Sequence, residues 1–87
     1  MTDVIKERLK KVLAEQLGYP LDMSRIQENT SLYGKGLGLG SVDVVSLIVR
    51  LEEEFDIFFE AEEIAATVKT FGSVVEAIQQ KLDRQDQ

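Results

Sequence analysis

Apolar residues recur at helical spacing in separate stretches of the chain and lose that spacing between them. Val4, Ile5, Leu9, Val12, Leu13 and Leu17 fall three and four apart behind Thr2 and Asp3, two residue types that cap helices. This predicts a first amphipathic helix, closed by Gly18 in a left-handed turn and unable to continue through Pro20. From Pro20 to Gly40 no period holds, and Gly34, Gly36, Gly38 and Gly40 take alternate positions near its end. So long a connection in so small a chain is usually functional. A second helix is predicted from about Ser41 to Phe55 and a short one from about Glu60 to Ala66. A last helix starts near Thr70 or Phe71 and carries Val74, Val75, Ile78 and Leu82. The predicted fold is all-α: a small helical bundle of three main helices plus one short helix, with a long loop between the first and second. One domain is expected over residues 1–87, with 83–87 as a frayed tail.

On the second helix Val44, Leu47, Ile48, Leu51 and Phe55 share a sector about 100° wide, enough to face a core. Val42, Val45 and Val49 fall in a further sector about 60° wide, bordered by Asp43, Glu52 and Glu53. Two readings are open. Either a neighbouring helix covers these valines too, or they form an exposed apolar strip rimmed by carboxylates, which would be a partner site.

Charge sharpens that question. The chain carries 16 acidic and 10 basic side chains, a net −6, yet residues 41–63 alone hold Arg50 against eight acidic groups, a net −7. The ordinary reading is a solvated face that aids solubility; the sharper one is a docking surface for basic partners. A net negative charge opposes nucleic-acid phosphates and anionic lipid, and no apolar run approaches the ~20 residues that span a bilayer, so neither nucleic acid nor membrane insertion is expected. Cysteine and histidine are absent, which removes thiolate nucleophiles, imidazole bases, zinc fingers and Ser/His triads. An autonomous enzyme is therefore not expected. Without a signal-peptide pattern over residues 1–10 or any disulfide, the expected location is cytoplasmic.

The glycine-rich stretch invites a phosphate-loop reading, which fails on spacing. A Walker loop needs Ser or Thr after Gly-Lys, but Lys35 is followed by Gly36; Gly36, Gly38 and Gly40 give only G-x-G-x-G with no strand before them. A hydrolase elbow would need glycine where Leu39 and Asp43 stand. Glu52, Glu53, Glu54 and Asp56 lack the spacing of a calcium loop, and no metal site is expected. Ser41 remains. It follows the glycine run and opens the second helix, so its hydroxyl should be exposed. It either caps the helix or serves as an attachment point, since free amides at a helix start favour a phosphodiester anion and a mobile loop lets an enzyme reach the oxygen. Ser73, in Gly72-Ser73-Val74-Val75-Glu76, echoes Gly40-Ser41-Val42-Asp43 without the long loop or the acidic segment after it.

Leu39-Gly40-Ser41-Val42-Asp43, Leu47-Ile48 and Leu51-Glu52-Glu53-Glu54-Phe55-Asp56-Ile57 resemble the acyl carrier protein family, as do Thr30-Ser31-Leu32 and Thr70-Phe71-Gly72-Ser73-Val74-Val75. The resemblance implies that Ser41 is esterified by 4′-phosphopantetheine, donated by coenzyme A, whose thiol carries acyl groups as thioesters. It implies a monomer served by a phosphopantetheinyl transferase and by acyl-loading, condensing and tailoring enzymes with basic docking surfaces. Those enzymes would meet Asp43, Glu53 and Glu54 as the charged part of the footprint and Val42, Val45 and Val49 as the apolar part. Phe59, Ile64, Val68 and Phe71 match positions lining the space where a carried chain withdraws; ordinary core packing is compatible with that role. The pathway would be fatty-acid, polyketide or related specialised biosynthesis.

Three departures from the family pattern favour a specialised, non-housekeeping carrier: Gly40 in place of the usual Asp, Ser46 where many carriers have Glu, and Arg50 as a cation on the outward side of the helix. Gly40 either removes a charge or supplies backbone freedom. Phe58 and Phe59 in tandem, with Glu60 where the pattern often has Pro, leave the start of the short helix open. The alternatives are an acidic helical adaptor without a prosthetic group, in which Ser41 only caps, and an aminoacyl or peptidyl carrier.

Overall fold

The computed structural model describes residues 2–18, 26–34 and 36–85, so Pro20 lies outside the described residues. Among these are four helices, α1 (Thr2–Leu17), α2 (Ser41–Phe55), α3 (Ala61–Thr67) and α4 (Phe71–Gln85). The all-α bundle expected from the periodicity is the observed one.

Each helix ends where its sequence supplies a stop. Gly18 closes α1 at φ +79° and donates its N–H to the Ala14 carbonyl at 3.0 Å. Thr2 is already helical, so Asp3 sits in the first turn, where its charge favours the positive helix end, rather than capping. Asp56 ends α2 in the left-handed region at φ 54°, its N–H turned back to the Glu52 carbonyl. At α3, which starts one residue later than expected, the Glu63 carboxylate accepts the Glu60 N–H at 2.8 Å and fixes the start that the sequence left open. Thr70 and Ser73 do the same for α4 reciprocally: Ser73 N–H donates to Thr70 Oγ1 at 3.1 Å, and Thr70 N–H to Ser73 Oγ at 3.0 Å. Helix α4 runs on through Gln85, into the 83–87 segment expected to be a frayed tail. There Gln85 Nε2 donates to the Asp56 carbonyl at 2.7 Å, and Arg84 in the last turn complements the negative helix end.

Helix α1 packs on both α2 and α4, while α3 packs on α4. The predicted inward residues form one core: Ile5, Leu9, Val12 and Leu13 from α1, Val44, Leu47, Ile48, Leu51 and Phe55 from α2, and Phe71, Val74, Val75 and Ile78 from α4. Leu32 and Leu39 of the long loop are buried in the same cluster. Backbone bonds stitch this loop to the α3–α4 turn, with Leu32 N–H on the Lys69 carbonyl at 3.1 Å, Phe71 N–H on Thr30 at 2.9 Å and Gly72 N–H on Glu28 at 2.8 Å. A side chain at Gly72 would begin 2.7 Å from that Glu28 oxygen, so the close approach requires glycine.

Candidate attachment site and docking face

The described part of the glycine run that leads into α2 is held by backbone hydrogen bonds. Gly36 donates to the Tyr33 carbonyl at 3.0 Å, Leu37 to Ser31 at 2.9 Å and Leu39 to Leu32 at 2.9 Å. At Gly36 the backbone presses so closely on Ser31 that an added Cβ would lie 1.8 Å from its carbonyl oxygen. Leu39, one residue before the cap, is buried in the core. The start of α2 is thereby fixed to the body of the protein.

The capping reading of Ser41 is corrected. Gly40 is the N-cap, in extended conformation at φ −95°, ψ 178°, and Ser41 is the first helical residue. The cap contact is made by Asp43, whose Oδ2 accepts the Gly40 N–H at 2.9 Å; the first helical bond runs from Val44 N–H to the Gly40 carbonyl at 3.0 Å. Ser41 is exposed, and its hydroxyl makes no hydrogen bond among the described residues. The N–H groups of Ser41, Val42 and Asp43 precede the first helical bond, so this end of α2 offers donors to an anion. Ser73 differs in every respect. Its Oγ lies 2.6 Å from the Thr67 carbonyl, to which it donates, and accepts from Thr70 N–H.

Val42, Val45 and Val49 are 78%, 66% and 47% exposed, so no neighbouring helix covers them. Asp43 and Glu53 are exposed beside them. The rest of the acidic segment is partly spent inside the molecule. Arg8 of α1 holds the Glu54 carboxylate at 2.8 Å and lies 4.5 Å over the Phe55 ring, and Glu52 Oε2 accepts the Phe59 N–H at 2.9 Å. Arg50, expected as a cation on the outward side of the helix, pairs with Glu15 of α1 at 2.7 Å. Sequence reasoning missed Phe58 as a surface residue. The signal was available in the tandem: Ile57 and Phe59 turn inward, which forces Phe58 out.

Phe59, Val68 and Phe71 are buried, and Ile64 is partly buried against the same core. Lys81 of α4 covers this corner, with its Nζ 5.0 Å from the Phe59 ring centroid and 2.6 Å from Glu63 Oε1. The hydrogen bond from Lys81, helped by the Glu60 N–H, holds the Glu63 carboxyl below its ordinary pKa. These four side chains are packed together as core. A surface groove of about 600 Å³ lies elsewhere, between Glu28 and Asn29 on one side and Gly72, Glu76 and Gln79 on the other.

The family described as "Phosphopantetheine attachment site" matches residues 7–78, most of the chain. The crystal structure of an acyl carrier protein from Thermotoga maritima is similar with a TM-score of 0.80 at 24% identity, over 95% of this chain and 92% of that one. At that identity the likeness is one of fold, and it covers all four helices. An exposed serine hydroxyl without a partner among the described residues, on a first turn with free amides and beside a residue that has no side chain, suits a covalently held phosphate-bearing group. By the match over residues 7–78 this chain belongs to the phosphopantetheine attachment site family, whose prosthetic group is covalently attached 4′-phosphopantetheine, and its fold is that of an acyl carrier protein.

Proposed function

We propose that Ser41 is the attachment residue and that the protein carries acyl units for fatty-acid, polyketide or related specialised biosynthesis, as a cytoplasmic monomer that holds substrates and does not transform them. The single observation that supports this is the contrast between the two serines. Ser41 is exposed and its Oγ has no hydrogen-bond partner among the described residues, while Ser73 Oγ is occupied by Thr67 and Thr70. When bound, the arm supplies a thiol that holds acyl groups as thioesters. The chain itself contributes the ester oxygen, the first-turn amides that favour the phosphodiester, and a surface for its enzymes.

On this reading Val42, Val45 and Val49 form the apolar part of the docking footprint, and Asp43 and Glu53 form its charged rim for lysines and arginines on a phosphopantetheinyl transferase and on loading, condensing and tailoring enzymes. Glu54 joins the rim only by sharing Arg8. Phe59, Ile64, Val68 and Phe71 would have to part for a carried chain to withdraw among them. Incubation with coenzyme A and a broad-specificity phosphopantetheinyl transferase should add one group, and Ser41→Ala should abolish it, read by intact mass. Labelling at Ser73, or none with several transferases, would favour the acidic adaptor.

A further inference from the structure

Helix α3 buries little apolar surface of its own: Ile64 is partly buried, while Ala61, Ala65 and Ala66 are exposed. Seven residues are also too few to hold a helix by backbone bonds alone. Phe59 before it and Val68 after it are buried in the core, and between these anchors its ties to α4 are polar. Near its C-terminus Ser73 Oγ donates to the Thr67 carbonyl at 2.6 Å, and near its N-terminus Lys81 Nζ donates to Glu63 Oε1 at 2.6 Å. An element held in this way opens more readily than the long helices around it.

Lys81 closes the corner between the two anchors. At 16% its side chain is the least exposed of the cations held in ion pairs among the described residues, and its Nζ also lies 5.0 Å from the centroid of the Phe59 ring. The ammonium thus occupies one face of a ring that belongs to the same core as Val68 and Phe71. A hydrocarbon chain moving in past Phe59 has to lift the ammonium off the ring and part it from Glu63. It brings no polar group to replace either contact, and separating a partly buried pair without replacement is costly.

We propose that Lys81, paired with Glu63 over the Phe59 ring, bars a hydrocarbon chain from the space beneath α3, so that this protein presents its acyl unit outside the bundle. Lys81 is then a specificity-determining residue for the cargo. It favours short or polar acyl units, which gain nothing from withdrawal, over long saturated chains, which do. This rests on the carrier reading above and narrows it to a class of cargo.

The test has two arms, both on the full chain. In the unmodified protein, Lys81→Met should speed hydrogen exchange at the Ala65 to Val68 amides about 10-fold and leave the Leu9 to Leu13 amides of α1 unchanged, while Lys81→Arg stays near wild type. Glu63→Gln, which keeps an acceptor for the Glu60 N–H, should give a smaller change of the same kind. In the second arm, a broad-specificity transferase loads acetyl or octanoyl arms from the corresponding coenzyme A thioesters, and hydroxylamine cleavage is followed by intact mass. In the wild type the two thioesters should be cleaved within about twofold of each other; in Lys81→Met the octanoyl form alone should slow about 5-fold as its chain withdraws. A wild-type octanoyl thioester already protected, an octanoyl form of Lys81→Met cleaved as fast as wild type, or exchange that speeds equally in α1 and α3 overturns the proposal. If several transferases load nothing onto the wild type, the carrier reading fails and this inference with it; if loading succeeds and Lys81→Met changes nothing, only this inference fails.

Discussion

Asp43 Oδ2 accepts the backbone N–H of Gly40 at 2.9 Å, so the carboxylate at the third position of α2 caps the helix that Ser41 begins. The contact releases the serine hydroxyl from capping duty. It also places a negative charge beside the residue at which this chain departs most visibly from the family pattern.

Gly40 does not need the freedom of glycine. Its φ of −95° and ψ of 178° are open to any residue, and an added Cβ would meet only Asp43 Oδ2, at 3.6 Å. The backbone account of this position is therefore set aside. Gly40→Ala should fold normally and gain up to about 1 kcal/mol from a less flexible unfolded chain, measured by denaturant titration. Gly40→Asp should be modified about 1.4- to 5-fold faster by a generic transferase at low salt, with the gain shrinking as salt rises. A mutant slower at every salt would mean that repulsion from Asp43 outweighs attraction to the enzyme.

Ser73→Ala should destabilise the protein by about 1–2 kcal/mol, because it removes the acceptor of the Thr70 N–H and the donor to the Thr67 carbonyl. Modification by coenzyme A and transferase should be unaffected. Thermal melting and intact mass on the same sample separate the two effects.

Val45→Asp and Leu51→Ala should divide function from folding. Leu51 is fully buried, and its truncation should cost about 2–5 kcal/mol. Val45 is exposed, so the aspartate should leave the denaturation midpoint nearly unchanged while weakening enzyme turnover of the carrier. Comparable unfolding by both would make the valine strip structural.

Glu63 gives a pH signature. Its carboxyl is held below its ordinary pKa by the Lys81 hydrogen bond and the Glu60 N–H. In the acid range the unfolded chain therefore binds more protons at this site than the folded one, and stability rises with pH there. The contribution is fully present above the unfolded pKa of about 4.3 and is lost as pH falls through the lower folded value. Glu63→Gln should accordingly be less stable than wild type at pH 7, with the gap closing below about pH 4. A gap independent of pH would contradict the role given to the charge.

The helices were legible because their signals are local. The spacing of Val44, Leu47, Ile48, Leu51 and Phe55 specifies the buried face of α2, whereas the exposure of Val42, Val45 and Val49 is decided only by where the other helices pack. Features that depend on residues distant in sequence were not legible. Arg50 reads as an outward cation until Glu15, 35 residues away, is folded against it, and Glu54 reads as free until Arg8 arrives. The glycine run reads as slack because composition does not reveal that Ser31, Leu32 and Leu39 will hold it. Ser41 reads as a cap because a sequence does not say which of two adjacent residues enters the helix first.

The wedge of Gly36 against Ser31 and the burial of Leu39 bear on how a cargo would be delivered. On the proposed attachment at Ser41, the arm would be planted at a fixed point in the frame of α2. An enzyme that grips this helix thereby aims the tether without having to tame a loop first. The thiol's search volume is then set by the arm alone, and so is its effective concentration at the client's active site. Lengthening the segment between Leu39 and Ser41 should dilute the thiol at that site even with every docking contact intact.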